Sequence, residues 1–392
     1  MPSAADPGTR ARREAGFVLV LWLLALALFA AGALLARGAD SERGDAYRDP
    51  AALHTATRAL IAYAATVDTD PARPGALLCP DHTGNGIADN IYCFNPGGPR
   101  PVYQHRLPAR TLDLPHRRAG SDDGLWYAID GRYRDLPNAR PFNPGRNGAL
   151  ELDGRGGYVA VVVDPGPPLP RQDGRPSERA GDYLECANAD DDALAFRDYG
   201  HARAGTGCND RVRGIHVDAL FDPVQRRVLR AVERALRAYH AEQGVLPRPA
   251  ALGDAAGACE PDTFIGHLPL AEPEADPAGC AADERLRPAH FGADWEWLSA
   301  NEWFPFIVYH VAAGCTAAGG TCPGATPRLN GADGLMAVVA AAGRALPGQR
   351  RERAQPSLDD YLNLPADHER GEYVDRPLLP GANDAFRGID PP

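Results

Sequence analysis

The sequence predicts an α+β protein: an N-terminal transmembrane helix, then two tandem units, each a helix followed by an antiparallel sheet with long disulfide-tied loops. Three observations predict it. An uncharged apolar run covers residues 15–36, a long block of sequence occurs twice behind it, and eight cysteines all follow the run. The expected organisation is a basic leader over 1–16, a transmembrane helix over 17–37, a linker over 38–48, a first unit over 49–220 and a second over 221–392.

The apolar run comes first. As a helix it spans roughly 30 Å, the thickness of a bilayer core. Arg10, Arg12 and Arg13 precede it, so the positive-inside rule keeps the N-terminus cytoplasmic and sends the remainder across the membrane. A secretory signal has a shorter apolar core and a small-x-small cleavage site. The stretch "GALLARGAD" offers such a site late in the run, which leaves cleavage there as an alternative.

The repeat organises the rest. "LDGRGGYVAVVVDPGPPLPRQ" from Leu152 returns as "LNGADGLMAVVAAAGRALPGQ" from Leu329, with eleven positions matching or nearly so. "DYL" at Asp182 recurs at Asp360, "NDRVRGI" from Asn209 recurs as "NDAFRGI" from Asn383, and "ATRALIAYAA" from Ala56 is echoed by "VERALRAYHA" from Val232. The order is kept, and the period is too long for a solenoid, which points to a duplicated domain.

Each unit starts with a helix. Asp49–Pro50 and Asp222–Pro223 both place a capping oxygen before a proline of fixed φ, a favourable helix start. Val224, Val228, Val232, Ala235, Leu236 and Tyr239 recur at three and four residues and form one apolar stripe, with Gly244 placed to end the helix. After each helix the pattern changes. "GLWYAI", "YVAVVV", "FIVYHVAA" and "LMAVVAAA" are short, rich in aromatic and β-branched residues and bounded by Gly, Pro, Asn or Asp, so they read as strands.

Cysteine usage fits an oxidising compartment. Cys79, Cys93, Cys186, Cys208, Cys259, Cys280, Cys315 and Cys322 form no C-x-x-C and no zinc-finger spacing. Sequence alone permits 105 pairings. Joining near neighbours gives Cys79–Cys93, Cys186–Cys208, Cys259–Cys280 and Cys315–Cys322. A net charge of −11 excludes a nucleic-acid backbone as partner. The chain has no lysine, and its wealth of Ala, Gly, Pro and Arg fits a GC-rich bacterial genome.

One loop looks like a site. In "DHTGNGIAD", Asp81, Thr83, Asn85 and Asp89 carry oxygen at positions 1, 3, 5 and 9, Gly86 stands at 6, and the Ile87 carbonyl would supply position 7. This matches the front of a calcium loop, but Tyr92 stands where the bidentate Glu belongs. The competing reading is a solvated Asn-Gly turn clamped by Cys79–Cys93. The acidic cluster Asp190–Asp192 reads as a solvated loop. No H-E-x-x-H, G-x-S-x-G, P-loop or dinucleotide fingerprint occurs, so an enzyme is not expected.

A basic leader ending at Gly16, then Phe17, then an unbroken apolar helix resembles the type III signal of type IV pilins and type II secretion pseudopilins. The blocks "GALLCPDHTGNGIADN", "DYLECANADDD" and "NDRVRGI" look like blocks of large bacterial prepilin-type proteins. The resemblance implies that a prepilin peptidase cuts between Gly16 and Phe17 and that the new Phe17 amine is methylated. It implies an inner-membrane, single-pass subunit with its bulk in the periplasm or an extracellular filament, whose partners are other pilin or pseudopilin subunits. Most such subunits carry Glu at the fifth mature position, and Leu21 stands there here. A carboxylate unpaired in hydrocarbon is costly, and a tip subunit has no neighbour above to pair with. Leu21 therefore points to a minor, tip-like subunit. The alternative is an N-terminally anchored periplasmic binding protein or enzyme that does not assemble.

Overall fold

Helix α1 (Pro50–Thr66) opens on Pro50 and buries Leu53, Ala56, Leu60 and Ala64, one stripe at helical spacing. The computed structural model describes residues 50–392, apart from 68–72, 95–99, 116–123, 136–141, 167, 173–174, 176, 191, 201–206, 253–263, 272–284, 317–326, 352–355, 364–370 and 376–381. Met1–Ala52 separates from Leu53–Pro392, which forms one unit. The leader, the expected spanning segment 17–37 and the linker lie outside the described residues. Among the described residues no helix is long and apolar enough to cross a membrane.

Behind α1 come the short helix α2 (Asn90–Cys93) and strands β1 (Val102–Arg106), β2 (Trp126–Asp130), β3 (Leu150–Leu152), β4 (Arg155–Asp164), β5 (Ala195–Phe196) and β6 (Arg211–His216). The long helix α3 (Val217–Gln243) follows, then β7 (Ile265–His267), helices α4 (Pro288–Phe291) and α5 (Asp294–Ala300), and strands β8 (Ile307–Val311), β9 (Arg328–Leu329), β10 (Ala337–Ala341), β11 (Glu372–Tyr373) and β12 (Ala385–Ile389). The architecture is mixed α+β, with its main ladders antiparallel. The four stretches read as strands overlap β2, β4, β8 and β10, of which β4 is the longer strand, Arg155–Asp164.

The two sheets repeat each other in register. β4 lies between β2 and β6 as β10 lies between β8 and β12. Val162 stands opposite Tyr127 and Arg213, and its counterpart Val339 stands opposite Tyr309 and Arg387. Short parallel pairs, β3 with β5 and β9 with β11, sit at matching places. Both copies turn on two residues of left-handed backbone: Asp153 and Gly154 (φ 52° and 76°), Asn330 and Gly331 (φ 54° and 77°). Asp-Gly and Asn-Gly are the residues that a type I′ hairpin requires.

Helix α3 corrects two expectations. It starts at Val217, capped by His216, so Asp222 is not its cap and Pro223 lies inside it. The extra turns exist because Val217, Leu220 and Phe221 all bury apolar side chains, which outweighs the hydrogen bond that Pro223 cannot donate. Asp222 instead pairs with Arg226 one turn on. The boundary read at 220/221 falls within this helix, whose buried stripe includes all six expected positions and which packs on strands of both sheets. At its other end Gly244 adopts φ 71° and donates its N–H to the His240 carbonyl, the left-handed stop that the sequence anticipates.

Candidate functional site

Three segments converge behind the turns of each copy, and the same bonds hold both. The Arg175 guanidinium donates to the carbonyls of Gly166, Asp182 and Tyr183, and that of Arg351 to the carbonyls of Gly343, Asp360 and Tyr361. Each lies over the ring of its tyrosine, Tyr183 or Tyr361. Gln172 and Gln349 each accept a backbone N–H three residues back at 2.9 Å, from Leu169 and Leu346. Asp210 accepts the N–H of Glu185, and Asp384 that of Asn363. The matched blocks "DYL" and "ND" are thus the anchors of a buried polar network. They position loops, and they contain no nucleophile beside a base.

The first copy carries the Cys79–Cys93 loop, joined by a disulfide across a Cα–Cα distance of 6.0 Å. Asp81 is fully buried. Its carboxylate accepts the Gly86 N–H at 2.6 Å, the Asn85 N–H at 3.2 Å and the Thr83 hydroxyl at 3.3 Å. Asn85 Oδ1 accepts from Ile87 N–H at 2.8 Å, and Asp89 Oδ1 caps α2 by accepting from Tyr92 N–H at 3.2 Å. Asp81, Asn85 and Asp89 thus accept the loop's own N–H groups, the bonds of a clamped turn, and each keeps lone pairs beside them. The calcium reading of Asp81, Thr83, Asn85, Ile87 and Asp89 draws on the same oxygens. Among the described residues no cluster of three or more His, Cys, Asp or Glu is placed to hold a metal.

The inner face of this loop rests on aromatic rings. His105 Nδ1 lies 2.7 Å from the Asp81 carbonyl, and burial lowers the His105 pKa, so a neutral ring donates this bond. His82 stacks on Tyr92 with centroids 4.3 Å apart, and Trp126 lies beyond His105. Arg106 covers Trp126 and Tyr183 and donates to the Tyr183 hydroxyl at 2.9 Å.

The outer face is apolar and exposed. Ile91 is 85% exposed, Phe94 66% and Ile87 50%, and these are three of the four large apolar side chains left open among the described residues. A disulfide-braced turn thus holds apolar side chains in solvent, where they are open to contact. The sequence reading missed Ile91 and Phe94, because apolar residues beside a cysteine look like core. An open cleft of about 400 Å³ lies elsewhere, lined by Asn143, Gly145, Arg146, Glu302, Pro305 and Phe306.

Cys186 and Cys208 are also joined, across a Cα–Cα distance of 6.2 Å. Cys315 is disulfide-bonded. Cys259, Cys280 and Cys322 lie outside the described residues, as do Gly16, Phe17 and Leu21. The fold defines the class: an α+β protein of two like antiparallel sheets sharing a long helix. Compared with protein-family models, with curated proteins and with solved structures, the chain matches none.

Proposed function

We propose that the chain is a minor pilin or pseudopilin: a membrane-anchored assembly component of a type IV pilus or type II secretion pseudopilus. One observation carries the reading, the stretch "REAGFVLVLWLLAL", in which Gly16–Phe17 joins a basic leader to an uncharged run. A helix followed by an antiparallel sheet, written twice, is compatible with it, as are disulfides in the part assigned to the periplasm. The exposed apolar face at Ile87, Ile91 and Phe94 suits a subunit that works by contact. Leu21 supports a position at an end of the filament, where no neighbour's amine asks for a carboxylate.

Mass spectrometry of the mature N-terminus tests the reading. The expected product starts at N-methylated Phe17 and disappears when prepilin peptidase is deleted. The absence of lysine sharpens the assay, because the N-terminal nitrogen is the chain's sole amine and methylation there leaves no primary amine. An intact Met1, or a cut near Ala39, overturns the filament reading in favour of an anchored protein that does not assemble.

A further inference from the structure

Where the second copy of the polar network carries Asn363, the first carries Glu185, and this change sets two carboxyls against each other in the interior. Asp210 is 0% and Glu185 1% exposed. Asp210 Oδ2 accepts the Glu185 N–H at 2.8 Å and the Asn188 amide at 3.0 Å. Glu185 Oε1 accepts from the Gln172 amide, and Oε2 accepts the Asn209 N–H at 2.9 Å. Asp210 Oδ1 is buried and receives no N–H or hydroxyl donor. The reciprocal bonds, Glu185 N–H to Asp210 and Asn209 N–H to Glu185, set the two carboxyls beside each other in one network. A single proton between them satisfies the open oxygen, whereas two bare carboxylates here would repel in a dry interior.

The bonds that reach the pair come from neutral amides. Arg175, in the loop after β4, is turned to Gln172 Oε1 and to backbone carbonyls. Tyr199 donates its N–H to the Asp210 carbonyl, and its hydroxyl accepts from Ala187 N–H. Asp198 accepts from Val212 N–H, and Arg211 opens β6 opposite Asp164 of β4. Burial, then the Glu185 charge, push the Asp210 carboxyl up to about 9. The pair also sits where the chain is braced. Glu185 precedes Cys186 and Asp210 follows Cys208 by two residues, so carboxyls and disulfide join the same two segments. Cys186 itself holds a left-handed backbone, φ 55°, which a non-glycine residue keeps only under constraint from its neighbours.

We propose that Glu185 and Asp210 form a proton-held latch on the Cys186–Cys208 loop: one shared proton keeps the two flanking segments together, and its loss in alkali opens them while the disulfide keeps them within reach. The latch is independent of the filament reading. The opened carboxyl titrates at its ordinary 3.8 and the closed one well above it, raised by burial and then by the Glu185 charge. Between these values the closed form holds one proton more than the open form, so closure is strongest in acid and weakens as pH rises. In the second copy both Asp384 oxygens accept N–H donors, and that carboxyl, pushed up by burial, titrates at about 6. Above that value the second copy no longer responds to pH.

Amide hydrogen exchange on the full chain, disulfides intact, tests the latch between about pH 7 and 8.5. After correction for intrinsic exchange, protection of the Glu185 and Asn209 amides is expected to fall about tenfold per pH unit. The Gly343 and Asn363 amides are expected to stay level. Asp210→Asn puts an amide donor where the shared proton sits, and its protection should not vary with pH. A level profile in the wild type, or the same slope in Asp210→Asn, overturns the proposal. Infrared spectroscopy of the wild type gives a second test that needs no variant. A protonated-carboxyl band must be present at neutral pH and vanish in alkali, and its absence at neutral pH also overturns the latch.

Discussion

At the level of single residues, buried carboxylates with similar neighbours respond to pH in opposite directions. Burial raises the Asp218 carboxyl, but its polar contacts with His216, Arg344 and Asn383 outweigh it and bring it down to about 2. Its folded value lies below the unfolded 3.8, so its contribution is present above 3.8 and lost as pH falls towards 2. Discounted for partial exposure, the contribution is about 1–2 kcal/mol. Urea midpoints of wild type and Asp218→Asn should differ at neutral pH and converge near about pH 2. Asp384 shows why substitution by Asn is not one experiment. Its Oδ1 accepts from Gly343 N–H and Asn363 Nδ2, and its Oδ2 from Asn363 N–H. A side-chain amide in place of this carboxylate would face a donor whichever way it turned. Asp384→Asn is therefore expected to cost about 2–4 kcal/mol in equilibrium unfolding at neutral pH, whereas Asp210→Asn, with one oxygen free of N–H donors, should cost little. None of this was legible in "ND" and "DYL" as letters. The repeat marked these residues as special, but only the fold shows that they meet across about twenty positions of chain.

At the level of elements, the sequence is legible where periodicity governs and opaque where a neighbour decides. The stripe of α3, its glycine stop, and the strands in "GLWYAI" and "YVAVVV" follow from spacing alone. The start of α3 was misread because a cap signature competes with burial of Val217, Leu220 and Phe221, which only a partner surface can reward. Strands β6 and β12 were found as repeats but not as strands, since "RVRGI" and "AFRGI" mix charge and glycine in a way that tertiary pairing overrides. The hairpin glycines did carry a readable signal in Asp-Gly and Asn-Gly. Gly331 holds φ 77°, and a Cβ there would meet nothing within 4 Å, so Gly331→Ala should cost about 1 kcal/mol of backbone strain alone. Gly266 in β7 is the contrasting case. A Cβ there would lie 1.9 Å from the Ala250 carbonyl oxygen and would break the paired Ala250–His267 bonds, both 2.8 Å. Gly266→Ala should cost about 3 kcal/mol or more. Denaturant melts of the two variants would separate strain from collision, and equal losses would contradict the distinction.

At the level of the whole molecule, duplication in sequence has not produced two separable bodies. Helix α3 belongs to both sheets. Its first turns set Phe221 against Tyr133 of the first half and Trp303 of the second. Further on, the Gln225 amide donates to the carbonyls of Ala341 and Asn383. Loops reinforce the union, since Phe142 N–H donates to Asn301 Oδ1 at 3.0 Å and Asn143 Nδ2 to the Asn301 carbonyl at 2.9 Å. These contacts join residues 82 to 159 positions apart, separations at which a repeat reveals likeness but not mutual dependence. A cut at 220/221 would strip Val217 and Leu220 from the helix and expose the buried faces of both sheets. Residues 50–392 should therefore unfold in one cooperative transition, with calorimetric and van't Hoff enthalpies equal. The fragments 50–220 and 221–392, made separately, should lack the dispersed amide spectrum of a folded domain. Independent folding of either fragment, or two resolved heat-absorption peaks in the intact unit, would restore the two-domain reading. The expectation otherwise rests on the area that α3 buries against both halves, because twelve of its side chains are buried and each removes apolar surface from water at about 25 cal/mol per Å².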